Sequence, residues 1–491
     1  MILALILIPL LAGSVAFFLK GPVASRTLLI SSALAHSVIV SLCWISNPAP
    51  ALEGWLSLDA MGLIFMSISS ALFLLASIYR VGAVKTQSEQ KTDFEEGFLF
   101  TSTPEATFCG CMLVFLATMT LVCLSQQSGI TWIAIEATTL ASAPLIYFHR
   151  HKRSLEAAWK YLLICSVGIA LALLGNFFLA IAASGNEQTT SLVYGSLNLQ
   201  AQSGLLDIMW LKAAFLLLLV GYGTKMGLAP MHTWLPDAHS ESPSSVSALL
   251  SGALLNCSFL GILRAQELLV NAGQAKFGGE LLIGFGLLSM AVAGVFILGQ
   301  KDYKRLLAYS SVEHMGILSL GVGIGGTAIF GAMLHAVGHS FTKAMLFLTA
   351  GNILTAYRTK NATQVSGLVR TIPFTGILWI VGFLAVTGSP PFCTFLSEFT
   401  ILRSAIEQGR GVIAAAYLFL LAVVFVGMVG TFMRMAEGKG IENQSGSEMH
   451  ETFFSILPPV LMAIIILILG VFIPDWLNSV LQEAAFVLGG G

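Results

Sequence analysis

Titratable residues stand inside otherwise apolar runs of this chain: Glu136, Lys160, Lys225, Glu313, His314, His335, His339, Lys343 and Glu398. His239 lies in the polar link that follows Lys225. An ionisable group at mid-bilayer depth costs several kcal/mol unless it is paired or hydrated. A single one could be a tolerated accident. A series spread over successive apolar runs is what a proton relay needs, with titratable groups near enough to exchange protons directly or through water. His335, His339 and Lys343 are spaced four apart and so share one helical face. Glu136 lies midway along its run, beyond snorkelling reach. Lys225 sits in Gly-Tyr-Gly-Thr-Lys-Met-Gly-Leu-Ala-Pro, five residues before Pro230. Blander readings stand beside these. Lys160 and Lys212 lie near run ends, where long side chains reach the interface. Glu313 and His314 could form a local pair, or Glu313 could neutralise Lys304 or Arg305.

The elements that must hold such groups are membrane helices. Of 491 residues, 56% are hydrophobic and only 10% charged, with a mean hydropathy of +0.85. A soluble domain carries roughly 25% charged residues. Predominantly apolar runs occupy 2–19, 27–46, 59–79, 106–125, 129–148, 157–183, 208–229, 243–263, 279–299, 306–323, 326–356, 372–402, 412–433 and 453–474. The pattern predicts an all-α polytopic membrane protein of about fourteen transmembrane helices. Run 7 carries Gly221, Gly223, Gly227 and Pro230, and run 12 carries Gly388, Pro390 and Pro391 ahead of Glu398. Proline removes a backbone donor and clashes with the preceding turn. Irregular backbone at membrane depth is tolerated where it lines a cavity or is buried in protein. Breaks five helices apart, each near an ionisable residue, predict two inverted five-helix repeats with broken helices 7 and 12. A single membrane domain, 1–491, would then hold helices 1–3 (1–105), repeat one (helices 4–8, 106–263), repeat two (helices 9–13, 279–433) and helix 14 (453–474).

Lys and Arg in the connections set orientation. The loops after odd-numbered runs hold sixteen: Lys20, Arg26, Arg80, Lys85, Lys91, Arg150, Lys152, Arg153, Lys301, Lys304, Arg305, Arg358, Lys360, Arg370, Arg434 and Lys439. The loops after even-numbered runs hold four: Arg264, Lys276, Arg403 and Arg410. This bias places the odd loops in the cytoplasm and both termini on the opposite side. The start at Met1 is apolar without a basic stretch and is expected to be a retained first span.

Other chemistry is poorly served. A formal net charge of -1 without basic clusters argues against nucleic acid as a partner. The seven cysteines, Cys43, Cys109, Cys111, Cys123, Cys165, Cys257 and Cys393, all fall in apolar runs, and none form Cys-x-x-Cys. There is no Walker loop or Rossmann fingerprint. No cofactor, metal or catalytic residue is therefore expected on this chain, and redox chemistry would sit on a partner.

KMGLAPMHTWLPDAHSESPSSVSALLS at 225–251, KRLLAYSSVEHMGI at 304–317, HAVGHSFTKAMLFLTAGNI at 335–353 and SPPFCTFLSEF at 389–399 resemble a known family. It is that of the antiporter-like subunits shared by respiratory complex I, membrane-bound hydrogenases and multisubunit Na+/H+ antiporters. The resemblance covers about residues 55–435, and HTWLPDAH is its most specific stretch. It implies that a helix-5 glutamate, Glu136, pairs with a helix-7 lysine, Lys225. It assigns Lys160 to helix 6, His335 and His339 to helix 11, and Glu398 to the terminal position on helix 12. AYSSVEHMGI, SALLSGALLN and AAWKYLLICSVGIALALLG look most like the F component of hydrogenase-4, a membrane part of formate hydrogenlyase-type complexes. Two positions depart from the complex I M-type: Asn256 replaces a helix-8 lysine, and Glu313 replaces a serine before the helix-10 histidine. The chain ends soon after run 14, so the L-type lateral extension is expected to be absent.

The resemblance implies protons, or Na+, as the moving ion. It implies other membrane subunits and a peripheral redox arm as partners, with Ni–Fe and iron–sulfur centres on those partners. The setting would be the bilayer of a prokaryotic inner (plasma) membrane. An M-type subunit of NADH:quinone oxidoreductase and a Na+/H+ antiporter subunit are the alternatives. In the relay so implied, a redox event perturbs charge near Glu136, the ion pair opens, and Lys225 passes its proton towards His335, His339, Lys343 and Glu398.

Overall fold

Helix starts follow the local chemistry of the chain. Asp207 accepts from the backbone N–H groups of Met209 and Trp210, and Asp302 from those of Lys304 and Arg305. Gln127 accepts from Ile130, and His151 forms a reciprocal cap with Ser154. Each satisfies backbone donors that a helix leaves free at its N-terminus.

The computed structural model describes residues 1–84, 90–92, 99–184, 191–438 and 451–490. Lys85 and Lys439, two of the basic loop positions, lie outside the described residues. The elements run α1 (Ile2–Ala16), α2 (Pro22–Cys43), α3 (Ala60–Val84), β1 (Gln90–Thr92), β2 (Leu99–Thr101), α4 (Glu105–Leu124), α5 (Ser128–Ile146), α6 (Lys152–Ala183), α7 (Tyr194–Gln202), α8 (Ile208–Met226), α9 (Trp234–Glu241) and α10 (Ser244–Leu249). A π-helical turn, Leu250–Leu254, joins α10 to α11 (Leu255–Asn271) without interruption. There follow α12 (Ala275–Ile297), α13 (Tyr303–Ile324), α14 (Thr327–Tyr357), α15 (Leu368–Thr371), α16 (Pro373–Val386), α17 (Cys393–Glu407), α18 (Gly411–Ala436), α19 (Phe453–Val471) and α20 (Asp475–Val487).

The fold is helical, as expected, and every predicted apolar run falls on helix. Among the described residues, ten helical stretches are long and apolar enough to cross a membrane, and α1 and α16 are apolar but shorter. The two remaining runs, on α13 and α14, carry Glu313, His314, His335, His339 and Lys343. The small antiparallel pair β1–β2, with Gln90 opposite Thr101, was not expected; it forms in the polar link between α3 and α4.

Several basic residues assigned to loops are instead helical. Arg80 is buried in α3 and bonds Glu105 at 2.9 Å. Arg264 is buried in α11 and pairs with Asp59. Lys304 is 1% exposed in the first turn of α13.

The odd loops share one face. Thr103 donates to the Phe148 carbonyl, Asp302 bridges Asn361, and Lys360 pairs with Glu241 at 2.8 Å. Close helix packing relies on glycine. A side chain at Gly221 would strike the Gly168 carbonyl, so α6 and α8 pack backbone to backbone.

Candidate functional site

Both predicted breaks are present, and their backbone is satisfied by protein. α8 ends at Gly227 in the left-handed region (φ 87°). The Trp234 indole donates to the Thr224 carbonyl at 2.9 Å, and the Ala229 N–H donates to Ser289 Oγ at 2.9 Å. The second break separates α16 from α17. There Gly388 has φ 61°, and the Thr394 hydroxyl donates to the Ala385 carbonyl. Pro230 and the Pro390–Pro391 pair occupy the two breaks.

At the first break Lys225 is fully buried in the last turn of α8. A cation there is favoured by the C-terminal end of the helix dipole. The expected direct pair with Glu136 is not formed among the described residues. Lys225 Nζ instead donates to Thr139 Oγ1 at 2.7 Å, and Thr139 Oγ1 donates to Glu136 Oε2 at 3.2 Å. One hydroxyl therefore bridges the two charges. Lys225 also donates to the Tyr161 hydroxyl, which lies 2.6 Å from Ser142 Oγ. Ser166 donates to the other Glu136 oxygen at 2.9 Å. Thr139 was missed from the sequence, although its i+3 spacing from Glu136 puts the two on one helix face. Tyr161 carries no charge, so a search for charges passes it by.

Lys160 departs from its expected place in the buried path. Tyr161 turns inward, while Lys160 turns outward with 45% of its side chain exposed and pairs with Glu156 at 2.6 Å and Asp237 at 3.0 Å. Asp237 also pairs with Arg305. The reach to an interface is the better account of this lysine.

The second group is assembled from α13, α14 and α17. His314 Nδ1 lies 2.9 Å from His335 Nε2, and His335 Nδ1 lies 2.8 Å from Ser397 Oγ. The His339 ring centroid is 4.8 Å from that of His314. Lys343 is fully buried and donates to the Leu307 carbonyl at 2.9 Å. Glu313 is 2% exposed and interacts electrostatically with Lys343 and Glu398. His314 thus bonds His335 rather than Glu313, because adjacent residues on a helix point 100° apart. Nor does Glu313 pair with Lys304 or Arg305: Lys304 donates to the Ser240 and Ser242 carbonyls at 3.2 and 2.7 Å, and Arg305 pairs with Asp237.

Between the two groups stands Asn256, two residues beyond the π turn. Its Nδ2 donates to Ser340 Oγ at 2.7 Å and to the Gly252 carbonyl at 3.0 Å. Ser251 and Ser311 meet at 2.8 Å. His239 is fully buried and stacked on Phe347 at 4.8 Å, with neither ring nitrogen hydrogen-bonded. It lies within the electrostatic reach of Lys304 and Lys343. Unpartnered polar atoms recur along this interior: Asn256 Oδ1, Ser258 Oγ, Ser310 Oγ, Glu313 Oε2 and both nitrogens of His339. Buried polar atoms without protein partners are sites for water.

Residues 125–425 match the family model described as NADH:quinone oxidoreductase/Mrp antiporter, transmembrane region. The chain belongs to that family. The matched region holds α5 to α17 and every titratable residue of the two groups. Hydrogenase-4 component F homolog from Methylacidiphilum infernorum is 34% identical over 432 residues, 88% of each chain. Hydrogenase-4 component B from Escherichia coli is 28% identical over 388 residues, 76% of this chain; the chain spans about half, 54%, of that relative's length. The fold is shared with a subunit of the archaeal membrane-bound sulfane sulfur reductase at a TM-score of 0.85 and 21% identity, covering 100% of this chain and 98% of the other. The sequence-level resemblance to antiporter-like subunits, and to hydrogenase-4 component F among them, is thereby upheld. The protein is an antiporter-like membrane subunit.

Proposed function

We propose that this antiporter-like subunit moves protons across a prokaryotic inner membrane as part of a group 4 [NiFe]-hydrogenase or formate hydrogenlyase-type complex. The observation that carries the reading is the run of buried titratable groups, Lys225, Glu313, His314, His335, His339, Lys343 and Glu398, in an interior edged by unpartnered polar atoms. Charges at such depth are retained for function. The 34% identity to hydrogenase-4 component F homolog over most of both chains favours that complex over the other branches of the family. Redox centres belong on partner subunits in this reading.

The input end is Glu136. It is partly exposed on the α5–α6 side, beside exposed Ile133, Leu140 and Leu163. A carboxylate there is poorly placed against lipid. A neighbouring membrane subunit covering this face would bring its own charge to Glu136. Pulling Glu136 away from Thr139 loosens the hydroxyl that accepts from Lys225. The lysine proton is then free to move through water and hydroxyl groups towards α13 and α14.

The test is proton movement in inverted membrane vesicles, read with a pH-sensitive dye during turnover of the assembled complex. Lys225→Ala should abolish it while the subunit still inserts. Lys225→Arg should fail substantially too, because a guanidinium holds its proton. Full pumping by the alanine variant would reduce Lys225 to a packing residue.

A further inference from the structure

Within the second group, three donor atoms converge. A ring nitrogen of His314, a ring nitrogen of His335 and a carboxylate oxygen of Glu398 lie within 4.8 Å of one another, all on buried residues. They come from α13, α14 and α17, at separations that form no sequence motif. We propose that these three residues form a binding site for one divalent transition-metal ion of the zinc or cobalt type.

The hydrogen-bond network sets the tautomers in favour of a ligand. Ser397 donates its only hydroxyl hydrogen to the Thr394 carbonyl at 2.7 Å. Its oxygen must therefore accept from His335 Nδ1, which leaves His335 Nε2 as a lone pair. That lone pair faces His314 Nδ1 at 2.9 Å, so His314 Nδ1 is the donor and His314 Nε2 carries the second lone pair. His314 Nε2 is buried with no partner at hydrogen-bond geometry, and the Val386 backbone lies near the ring. A buried electron pair without a donor calls for a cation or a water.

Two imidazole nitrogens and one carboxylate oxygen suit zinc and its neighbours, with one position left open. Metal–ligand bonds of about 2.0–2.1 Å put the donors of a tetrahedral ion about 3.4 Å apart, so the cluster has to close by about 1.4 Å at its widest. Side-chain rotation supplies that. Ser397 steadies the His335 ring from behind, as partners of metal-bound histidines commonly do. The Glu398 carboxylate occupies the space that a side chain at position 388 would fill. Gly388 is partly exposed and Pro390 and Pro391 are exposed, so the site is reached from the broken helix. On binding, His335 Nε2 turns its lone pair from the His314 Nδ1 proton to the ion, and His314 keeps that proton on Nδ1 while offering its Nε2 lone pair.

The consequence rests on the relay reading: an ion held here blocks proton transfer between α13 and α17. The binding itself does not rest on it. The purified full-length chain in nanodiscs is titrated with Co2+, and visible d–d absorption is followed, with Zn2+ as competitor. The expected result is one equivalent per chain with a low-symmetry cobalt spectrum that zinc displaces. Glu398→Gln and His335→Gln should each weaken it at least tenfold, in proteins whose circular dichroism and elution match the parent. No stoichiometric spectrum, or an unchanged one in both folded variants, means an adventitious surface ion only and overturns the site. In the assembled complex, zinc at the same concentrations should stop proton translocation. Stoichiometric binding with undiminished translocation would leave the metal site standing and remove these three residues from the relay.

Discussion

A buried lysine is tolerable here because two of its donors find neutral oxygens before they find a charge. Lys225 meets Thr139 and Tyr161, and only through Thr139 does it reach Glu136. The sequence exposed the two charges readily, since a Glu or Lys amid apolar residues is conspicuous. It hid the hydroxyl between them, since threonine and tyrosine are ordinary in membrane helices. Lys160 and Tyr161 make the same point in reverse: the conspicuous residue points out and the plain one points in. At this scale Asn256 and Glu313 can be separated. Asn256 has no proton to give, and it already spends its amide on Ser340 and Gly252. Glu313 is buried with Oε2 unpartnered, within electrostatic reach of Lys343 and Glu398 and not paired with Lys304 or Arg305. Glu313→Gln should slow proton translocation by about a hundredfold, the low end for loss of a proton-transferring group, and Asn256→Ala by less than about twofold. Rates in vesicles normalised to assembled complex decide it. A fully active Glu313→Gln complex would remove that carboxylate from the relay.

Among the helices, the breaks were readable from Gly and Pro, whereas the π turn at Leu250–Leu254 was not. Its residues, Leu-Ser-Gly-Ala-Leu, carry a single glycine and no proline, which does not set them apart from an unbroken membrane helix. What distinguishes it is tertiary: Gly252 lets the backbone approach the Ser340 carbonyl closely. A π turn often marks a functional position, and this one aims Asn256 at α14. The short helices α7 and α9 were also missed, because polar links conceal about two turns of helix, and so was the 13-residue α20 beyond the last apolar run. The second break has a specific requirement. Gly388 sits at φ 61°, and a Cβ there would overlap the Glu398 carboxylate. Gly388→Ala should therefore move Glu398 and strain the turn at once. Proton translocation should fall several-fold in complexes that still assemble, whereas Gly284→Ala, with nothing within 4 Å of the added carbon, should be silent. Equal rates in the two variants would show that Glu398 needs no fixed position.

For the whole molecule, the alternation of basic loops is the feature the sequence carried furthest, even though individual residues shifted. Arg264 left the surface for a buried pair with Asp59, and Lys304 left its loop for the carbonyls of Ser240 and Ser242. The gathering of loops survived these changes. Arg26 and Arg80 share Glu105, His151 and Lys360 share Glu241, and Asp237 joins Lys160 to Arg305. All of these lie at the ends of odd-numbered apolar runs, at the starts of even-numbered ones, or in the links between them. The other face collects the opposite ends: Trp44, just after α2, packs edge-on against Trp476 in α20 at 4.8 Å, and Arg410 meets Glu280 at 3.2 Å. The start of α20 therefore lies on the face where α2 ends, and Met1 opens α1 on that same face, because α1 runs towards the start of α2. The face rich in Lys and Arg should be cytoplasmic. A fluorescent reporter that matures only in the cytoplasm should then stay dark when fused to the C-terminus, and a periplasmic phosphatase fused there should be active. The same fluorescent reporter inserted after Gly438, at the end of α18, should be bright. A bright C-terminal fusion with a dark internal one would reverse the orientation of the whole bundle, and with it the direction in which the proposed relay delivers protons.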